Sequence, residues 1–170
     1  MMKKRYLRIV FALLISIFIF STSWAQSPPA TAENTVDGVT VKIDYHSPQV
    51  KGRTIWGGLE PYDKVWRTGA NNATTIEVSG DMKIGKKKLP KGKYSLFTIP
   101  KKGDSWTVII NKEAEQWGAY NYKESEDLLR FEVKVDRTLE LNESLAFDVK
   151  DDGTIFFTWE YKTFSFQVRK

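Results

Sequence analysis

The chain has 170 residues, of which 41% are hydrophobic and none is cysteine. This length suits one domain, and the lack of cysteine excludes disulfides, thiol catalysis and cysteine-ligated metal sites. Four of the 26 basic residues and none of the 21 acidic residues lie in the first 25 positions, which leaves 22 basic against 21 acidic residues. The remaining chain thus lacks the concentrated positive charge of a nucleic-acid-binding protein, and we expect no nucleic-acid partner.

Residues 1–25 have the pattern of a secretory signal peptide. Basic residues precede the 12-residue apolar stretch Ile9–Phe20, and Ser23-Trp24-Ala25 has small residues at the −3 and −1 positions of a cleavage site. The apolar stretch is shorter than the about 20 residues of a membrane span, although an uncleaved anchor is the alternative. We expect an exported protein, periplasmic or extracellular, without a membrane span after cleavage.

The composition changes after the predicted cleavage site. Residues 26–34 are rich in Ser, Pro, Ala and Thr and show no periodicity, which predicts a flexible leader. Residues 35–170 show no further change in composition and no internal repeat. They are predicted to form a single domain.

Apolar and polar residues alternate with a period of two through nearly all of this domain, as in half-buried strands. The stretch from Lys93 to Ile99 has apolar residues on both faces and is predicted to be a central strand covered on both sides. Glu113–Trp117 is predicted to form a helical turn. The other predicted strands are Val39–His46, Arg53–Trp56, Val65–Thr68, Thr74–Val78, Trp106–Ile110, Phe131–Val135, Leu145–Val149, Ile155–Tyr161 and Phe164–Val168.

Two turn signals predict hairpins. Gly85-Lys86 lies between the short stretches Met82–Ile84 and Lys87–Leu89, and Asp151-Asp152-Gly153 lies between two alternating stretches. Many short strands with frequent turns and almost no helix predict an all-β fold. We expect a single antiparallel β-sandwich, jelly-roll or immunoglobulin-like, in preference to a closed barrel.

The segment from Pro61 to Thr75 combines aromatic rings, an acid, a cation, a glycine and two amides. If Trp66 enters the core, Arg67 points outward and is free to meet an anion or a sugar. If Val65 enters the core, Arg67 points inward and needs an acidic partner, for which Asp63 is the nearest choice. Both alternatives make Arg67 a constrained residue.

An exposed aromatic ring beside amides and charges is typical of a carbohydrate- or peptide-binding surface. Trp117 precedes Gly118 in a predicted loop and is such a ring. The predicted ligand-binding residues are Tyr62, Asp63, Trp66, Arg67, Asn71, Asn72, Thr74 and Trp117.

The sequence offers little support for metal or nucleophilic catalysis. His46 is the only histidine, so zinc and copper sites lack ligands. No Gly-x-Ser-x-Gly motif and no phosphate-binding glycine-rich loop before a helix is present. We expect no metal, no cofactor and no catalytic residue.

Several segments resemble a known family. Pro61–Asn71 resembles the hallmark block of the family called domain of unknown function 2911, and Leu89–Pro100 resembles its second block. Trp106–Ile109 and Trp117-Gly118 are similar to the region that follows, and the resemblance extends over residues 36–135. It implies an exported protein of a Gram-negative bacterium and brings no established activity or substrate.

The sequence is compatible with three functions. The first is a non-catalytic module that binds a small molecule, a glycan or an envelope component. The second is a hydrolase that uses Asp63 or Glu77 with support from Arg67. The third is a structural or interaction protein of the cell envelope.

Overall fold

The computed structural model describes residues 26–170, which form nine strands and one short 3-10 turn at Glu124–Glu126. The predicted signal peptide lies outside the described residues. No helix in the described part is long and apolar enough to cross a membrane. The strands are β1 (Pro29–Val36), β2 (Val39–His46), β3 (Thr74–Val78), β4 (Met82–Ile84), β5 (Lys87–Leu89), β6 (Gly92–Ile99), β7 (Ser105–Asn111), β8 (Asp127–Val149) and β9 (Thr154–Arg169).

All nine strands belong to one antiparallel sheet in the order β1-β2-β3-β6-β7-β8-β9-β4-β5. The long strand β8 joins the two halves of the sheet, because it pairs with β7 up to Lys134 and with β9 from Val135 onward. The sheet therefore folds over a common core, and the predicted all-β sandwich is confirmed.

The two halves of the sheet also meet along their open side. The backbone N–H of Val50 donates to the Glu143 carbonyl oxygen at 2.8 Å, and the N–H of Leu145 donates to the Pro48 carbonyl oxygen at 3.0 Å. Nearby, the Asn34 amide donates to the Val149 carbonyl oxygen at 3.0 Å. These bonds tie the β1–β2 side to the second half of β8.

Aromatic rings fill the core between the two halves. Trp106 and Trp159 are fully buried, as the alternating pattern predicts. Trp66 stacks on Trp159 with ring centroids 5.7 Å apart, and Trp56 packs edge-on against Trp106 at 4.6 Å. Each such pair contributes about 0.5–1.5 kcal/mol beyond the burial of its area, which suits a core that has no disulfide to support it.

A second, smaller apolar cluster lies on the outer face of the sheet. Phe97 of β6 and Ile109 of β7 are fully buried there beneath Val65, Ala119 and Tyr122. The prediction of a central strand covered on both sides is therefore confirmed for β6. The cover consists of the segments around residues 65 and 119, and this packing positions the candidate site.

Part of the predicted flexible leader is a strand. Residues 29–34 belong to β1, which pairs with β2 from Pro29↔His46 to Val36↔Val39. The strand alternates between exposed and half-buried positions and has few large apolar residues. Its pairing with the edge of β2 orders it. Its own residues lack the hydrophobic alternation from which a strand can be predicted.

Four predicted strands are merged into two, and three other predicted segments are irregular. Phe131–Val135 and Leu145–Val149 both lie in β8, whereas Ile155–Tyr161 and Phe164–Val168 both lie in β9. Register shifts in β8 and a positive φ of 56° at Glu160 interrupt the period of two within these long strands. The segments Arg53–Trp56 and Val65–Thr68 form only isolated bridges, and Glu113–Trp117 forms no helical turn.

Candidate functional site

Trp66 anchors the segment Pro61–Thr75 to the core. Its side chain is 4% exposed, its backbone exchanges hydrogen bonds of 2.8 and 2.9 Å with Thr98, and its indole N–H donates to the Gly69 carbonyl oxygen at 3.2 Å. Val65 packs on the opposite side, in the outer cluster. The alternative in which Trp66 enters the core is therefore the one that the structure adopts, and Trp66 has no free face for a ligand.

A buried turn follows Trp66. Thr68 has a φ of 52°, and the Thr74 hydroxyl donates to the Thr68 carbonyl oxygen at 2.9 Å. A Cβ atom at Gly69 would lie 2.9 Å from Thr74 Oγ1 and 3.1 Å from the His46 carbonyl oxygen. Thr74 is fully buried and is part of this turn, so its hydroxyl acts inside the protein.

Arg67 is half-buried on the outer side of this segment. Its Nε is buried without a hydrogen-bond partner among residues 26–170, and its Nη1 lies 3.7 Å from the position that a Cβ atom of Gly118 would occupy. The pair with Asp63, which was the alternative for an inward-pointing Arg67, is not formed. Asp63 is exposed, and its backbone N–H donates to the Pro100 carbonyl oxygen at 2.8 Å.

Glu60 is the carboxylate whose pKa the charge of Arg67 affects. Glu60 was not among the predicted site residues. Burial raises the pKa of Glu60 to about 7, although the positive charges of Arg67 and Arg53 act in the opposite direction. Glu60 forms no direct ion pair with either arginine in the described part of the chain. Its bridge with Trp56 could not be predicted from the alternating pattern.

A groove of about 560 Å³ lies on the outer face of β1, β2, β3 and β6. We call it the Trp117 groove, after the indole that is 54% exposed on its rim. It combines small apolar residues, polar side chains and both signs of charge. It is lined by Pro29, Ala30, Thr31, Asp44, Tyr45, His46, Asn72, Ala73, Thr75, Lys93, Ala114, Glu115, Gln116 and Trp117.

Backbone pairing holds Trp117 in place. Asn72 and Trp117 form an isolated antiparallel bridge, flanked by bonds from the Ala73 N–H to the Gln116 carbonyl oxygen and from the Gly118 N–H to the Asn71 carbonyl oxygen, both 3.0 Å long. Gly118 has a φ of 64°, a left-handed conformation that glycine adopts at little cost. The chain therefore turns directly after the exposed indole.

The floor of the groove holds an organised set of charges. Asp44 accepts a bond of 2.7 Å from the Thr31 hydroxyl and pairs with Lys42 at 2.9 Å. Burial acts to raise the pKa of Asp44, but the bonds from Lys42 and Thr31 outweigh it and lower the pKa. Lys93 and Glu115 form a further pair at 3.7 Å.

Gln116 adds an unsatisfied acceptor to the groove wall. It is 8% exposed, and its Nε2 donates to the Glu113 carbonyl oxygen at 2.9 Å. Its Oε1 is buried and has no hydrogen-bond partner among the described residues. A buried polar atom without a partner is costly in a folded protein, so this atom is one that a bound donor would stabilise.

The predicted ligand-binding residues are thus only partly together. Asn72 and Trp117 line the groove, and Asn71 and Arg67 contact or approach Gly118 beside it. The other four lie elsewhere: Trp66 and Thr74 in the interior, Asp63 exposed at the end of β6, and Tyr62 half-buried against Gly57.

The sequence prediction missed the strand residues of the groove. Asp44 and His46 occupy the polar positions of β2, and Thr75 occupies one of β3, so the alternating pattern already assigns them to the outer face. What the pattern lacked was the register Asp44↔Thr75, which places the two strands side by side. No group of three or more possible metal ligands occurs within residues 26–170.

Comparison with known proteins gives a family and no relative of known activity. No curated protein and no solved structure matches the chain. The model of one family matches residues 27–168, which include all nine strands except the last residue of β9. The chain therefore belongs to the family described as "Protein of unknown function (DUF2911)".

Proposed function

We propose that this protein is a non-catalytic binding module that takes a glycan in the Trp117 groove. The observation that carries the proposal is a half-exposed indole, on a hydrogen-bonded backbone, beside a groove lined by carboxylate, amide, hydroxyl and ammonium groups. A sugar has an apolar C–H face and a ring of hydroxyl groups. This surface offers a partner for each of them.

Desolvation makes the indole the main source of affinity. Trp117 leaves more than half of its surface in water, and stacking a sugar ring on it removes apolar area from water on both partners. The hydroxyl groups of the sugar would exchange bonds with Asp44, Asn72 and Thr75, which orient the ring. The unpartnered Oε1 of Gln116 would accept one further bond after a small movement of its side chain.

The backbone of the site is already paired, which suits binding, and the residues of the hydrolase alternative are not brought together. The bridge between Asn72 and Trp117 fixes the backbone that carries the indole before a ligand arrives, which lowers the entropy lost on binding. The hydrolase alternative requires Asp63 or Glu77 to act with Arg67, but neither forms a salt bridge with Arg67 within residues 26–170. Glu77 is exposed on β3, in register with Lys42 and Lys93.

We further propose that the protein acts outside the cytoplasm, in the periplasm or the extracellular space. The basic and apolar pattern of residues 1–25 supports this proposal. Glycans of the cell envelope are abundant in that compartment, so a glycan or another envelope component is the ligand class that fits both the groove and the proposed location.

A glycan array followed by calorimetry tests the proposal. We expect the purified protein to bind a subset of saccharides and Trp117→Ala to lose at least tenfold in affinity, with an unchanged fold by circular dichroism. Phe156→Ala is the matched control, because Phe156 is an exposed aromatic residue of β9 outside the groove. Binding that Trp117→Ala leaves intact, or the absence of any saccharide ligand, would contradict the proposal.

A further inference from the structure

A second groove lies where β9 separates from β8. The two strands pair as far as Val135↔Phe164, and β9 then continues to β4 through the pair Ile84↔Val168, whereas β8 stays with β7. The separation leaves a groove of about 720 Å³ that shares no lining residue with the Trp117 groove. We call it the β8–β9 groove. It is lined by Ile84, Gly85, Lys86, Lys87, Phe131, Glu132, Val133, Lys134, Ser165, Phe166, Gln167 and Arg169.

One wall of this groove is a strand edge. The N–H of Val135 donates to the Asp104 carbonyl oxygen on the β7 side at 2.6 Å, and the carbonyl oxygen of Arg130 accepts a bond from Lys87 Nζ, away from β7, at 2.7 Å. Backbone groups alternate in direction along a strand, and no register shift occurs between these two residues. The N–H and C=O groups of Glu132 and Lys134 therefore point away from β7 into the groove, and on that side β8 has no strand partner among the described residues.

The floor of the groove is aromatic. Phe131 and Phe166 meet edge to face with ring centroids 5.3 Å apart, and Phe131 is only partly buried. An extended peptide that pairs with the edge of β8 places every second side chain toward one face of the sheet. The rings of the floor suit apolar side chains at those positions.

The rim of the groove is mostly positive. Its charged groups are the side chains of Lys86, Lys87, Lys134, Arg169 and Glu132. The one carboxylate already accepts bonds from the hydroxyl groups of Thr107 at 2.7 Å and Ser105 at 2.9 Å. Lys134 pairs with Asp136 at 2.7 Å, which leaves Lys86, Lys87 and Arg169 as the cations that favour a partner with negative charge.

We propose that the β8–β9 groove binds an extended peptide segment of another protein in which acidic and apolar residues alternate, and that this segment pairs with β8 at Phe131–Lys134. The strand edge supplies hydrogen bonds that any sequence can make. The aromatic floor and the positive rim supply the selectivity for alternating apolar and acidic side chains.

Binding of synthetic peptides tests this proposal. The probe is a fluorescent octapeptide of alternating Glu and Val, measured by anisotropy at low and physiological salt. We expect saturable binding that weakens with salt, and NMR shifts of the backbone amides of Glu132 and Lys134. A Lys and Val octapeptide is expected to bind at least tenfold more weakly, as is the acidic peptide with alternate amides methylated.

Charge-reversal variants give the matched control. Lys86→Glu with Arg169→Glu should weaken binding of the acidic peptide at least tenfold, whereas Lys51→Glu with Lys112→Glu, exposed lysines outside the groove, should leave it unchanged. Equal binding of the acidic and basic peptides, or no effect of the groove variant, would overturn the proposal. So would binding to phosphatidylglycerol vesicles in place of the peptide, which would assign the positive rim to a lipid surface.

Discussion

Glu60 and Arg67 show that single residues can be placed at an energetic cost to the fold. Glu60 is a largely buried carboxylate without a direct ion pair, and Arg67 has a buried Nε without a hydrogen-bond partner in the described part of the chain. Burial of a charge without a counter-charge in direct contact destabilises a fold. Arg67 belongs to the segment Pro61–Thr75, which Trp66 anchors to the core, and Glu60 immediately precedes that segment.

The raised pKa of Glu60 predicts a pH-dependent effect of Glu60→Gln. Below pH about 4.5 the carboxyl group is protonated in both the folded and the unfolded state, so burial costs little. Between pH 4.5 and about 7 only the unfolded state ionises, and the cost of burial grows to its full value above that range. Glu60→Gln should therefore match the wild type at pH 4.5 and be more stable by on the order of 2 kcal/mol at pH 8.

Urea unfolding of both proteins at the two pH values measures this difference. Other titrating groups contribute equally to both proteins and cancel in the comparison. A difference in the free energy of unfolding that stays constant between pH 4.5 and pH 8 would contradict the assignment of a buried, destabilising carboxylate.

Trp66 and Trp117 show what the sequence reveals about single residues. Both were predicted from their neighbours to form part of a ligand surface, yet one is buried and one is half-exposed. The local sequence around each contains glycine, asparagine or arginine, and these residues serve turns as well as ligands. The difference depends on the cover over the outer face of β6 and β7, which no local pattern encodes.

The β8–β9 turn depends on packing against a distant part of its own hairpin. Asp151-Asp152-Gly153 forms the predicted hairpin, and Gly153 is buried with a φ of 80°. A Cβ atom at this position would collide with the carbonyl oxygen of Val168. The turn is therefore packed beneath the far end of β9, and its left-handed dihedral angle is one that glycine adopts at little cost.

Gly153→Ala should destabilise the protein far more than the comparable change in the β1–β2 turn. Gly38 has a similar φ of 76°, but a Cβ atom there would meet nothing within 4 Å. Gly38→Ala should thus cost about 1–2 kcal/mol for the left-handed conformation alone. Gly153→Ala should cost at least about 3 kcal/mol, because the backbone must also move. Thermal and chemical unfolding check both values, and equal losses would contradict the packing described for Gly153.

Local patterns predicted some elements well and others poorly. The limits of β3 and the β4–β5 hairpin agree with the alternation and the Gly85 turn. The strand β1 was missed because its stability comes from its pairing with β2. Elements whose cause lies in distant partners could not be found from their own residues.

At the scale of the whole molecule, β1 closes the open side of the sandwich. It covers the edge of β2, contributes Val36 to the core, and sends the Asn34 amide to the Val149 carbonyl oxygen and to Asp151. It also supplies Ala30 and Thr31 to the Trp117 groove. The strand therefore links stability to the proposed binding surface.

Deletion of Pro29–Asn34 should lower both stability and glycan binding. Each backbone hydrogen bond lost with the strand contributes about 1 kcal/mol, so the free energy of unfolding should fall by several kcal/mol. Asn34→Ala should cost only about 1 kcal/mol and leave glycan binding unchanged, because Asn34 lies outside the groove. Unfolding curves and calorimetry check both variants, and a deletion that leaves the melting temperature unchanged would mean that this segment is a leader after all.

Glycan binding in the Trp117 groove is tested most directly by ¹⁹F NMR. The protein is labelled with 5-fluorotryptophan and titrated with saccharides that bind in the array. Trp117 is the one strongly exposed tryptophan among residues 26–170, and its resonance can be assigned with Trp117→Phe. We predict that the saccharide shifts the Trp117 resonance and leaves those of the buried Trp66, Trp106 and Trp159 nearly unchanged. A saccharide that binds without moving the Trp117 resonance would contradict binding in the Trp117 groove.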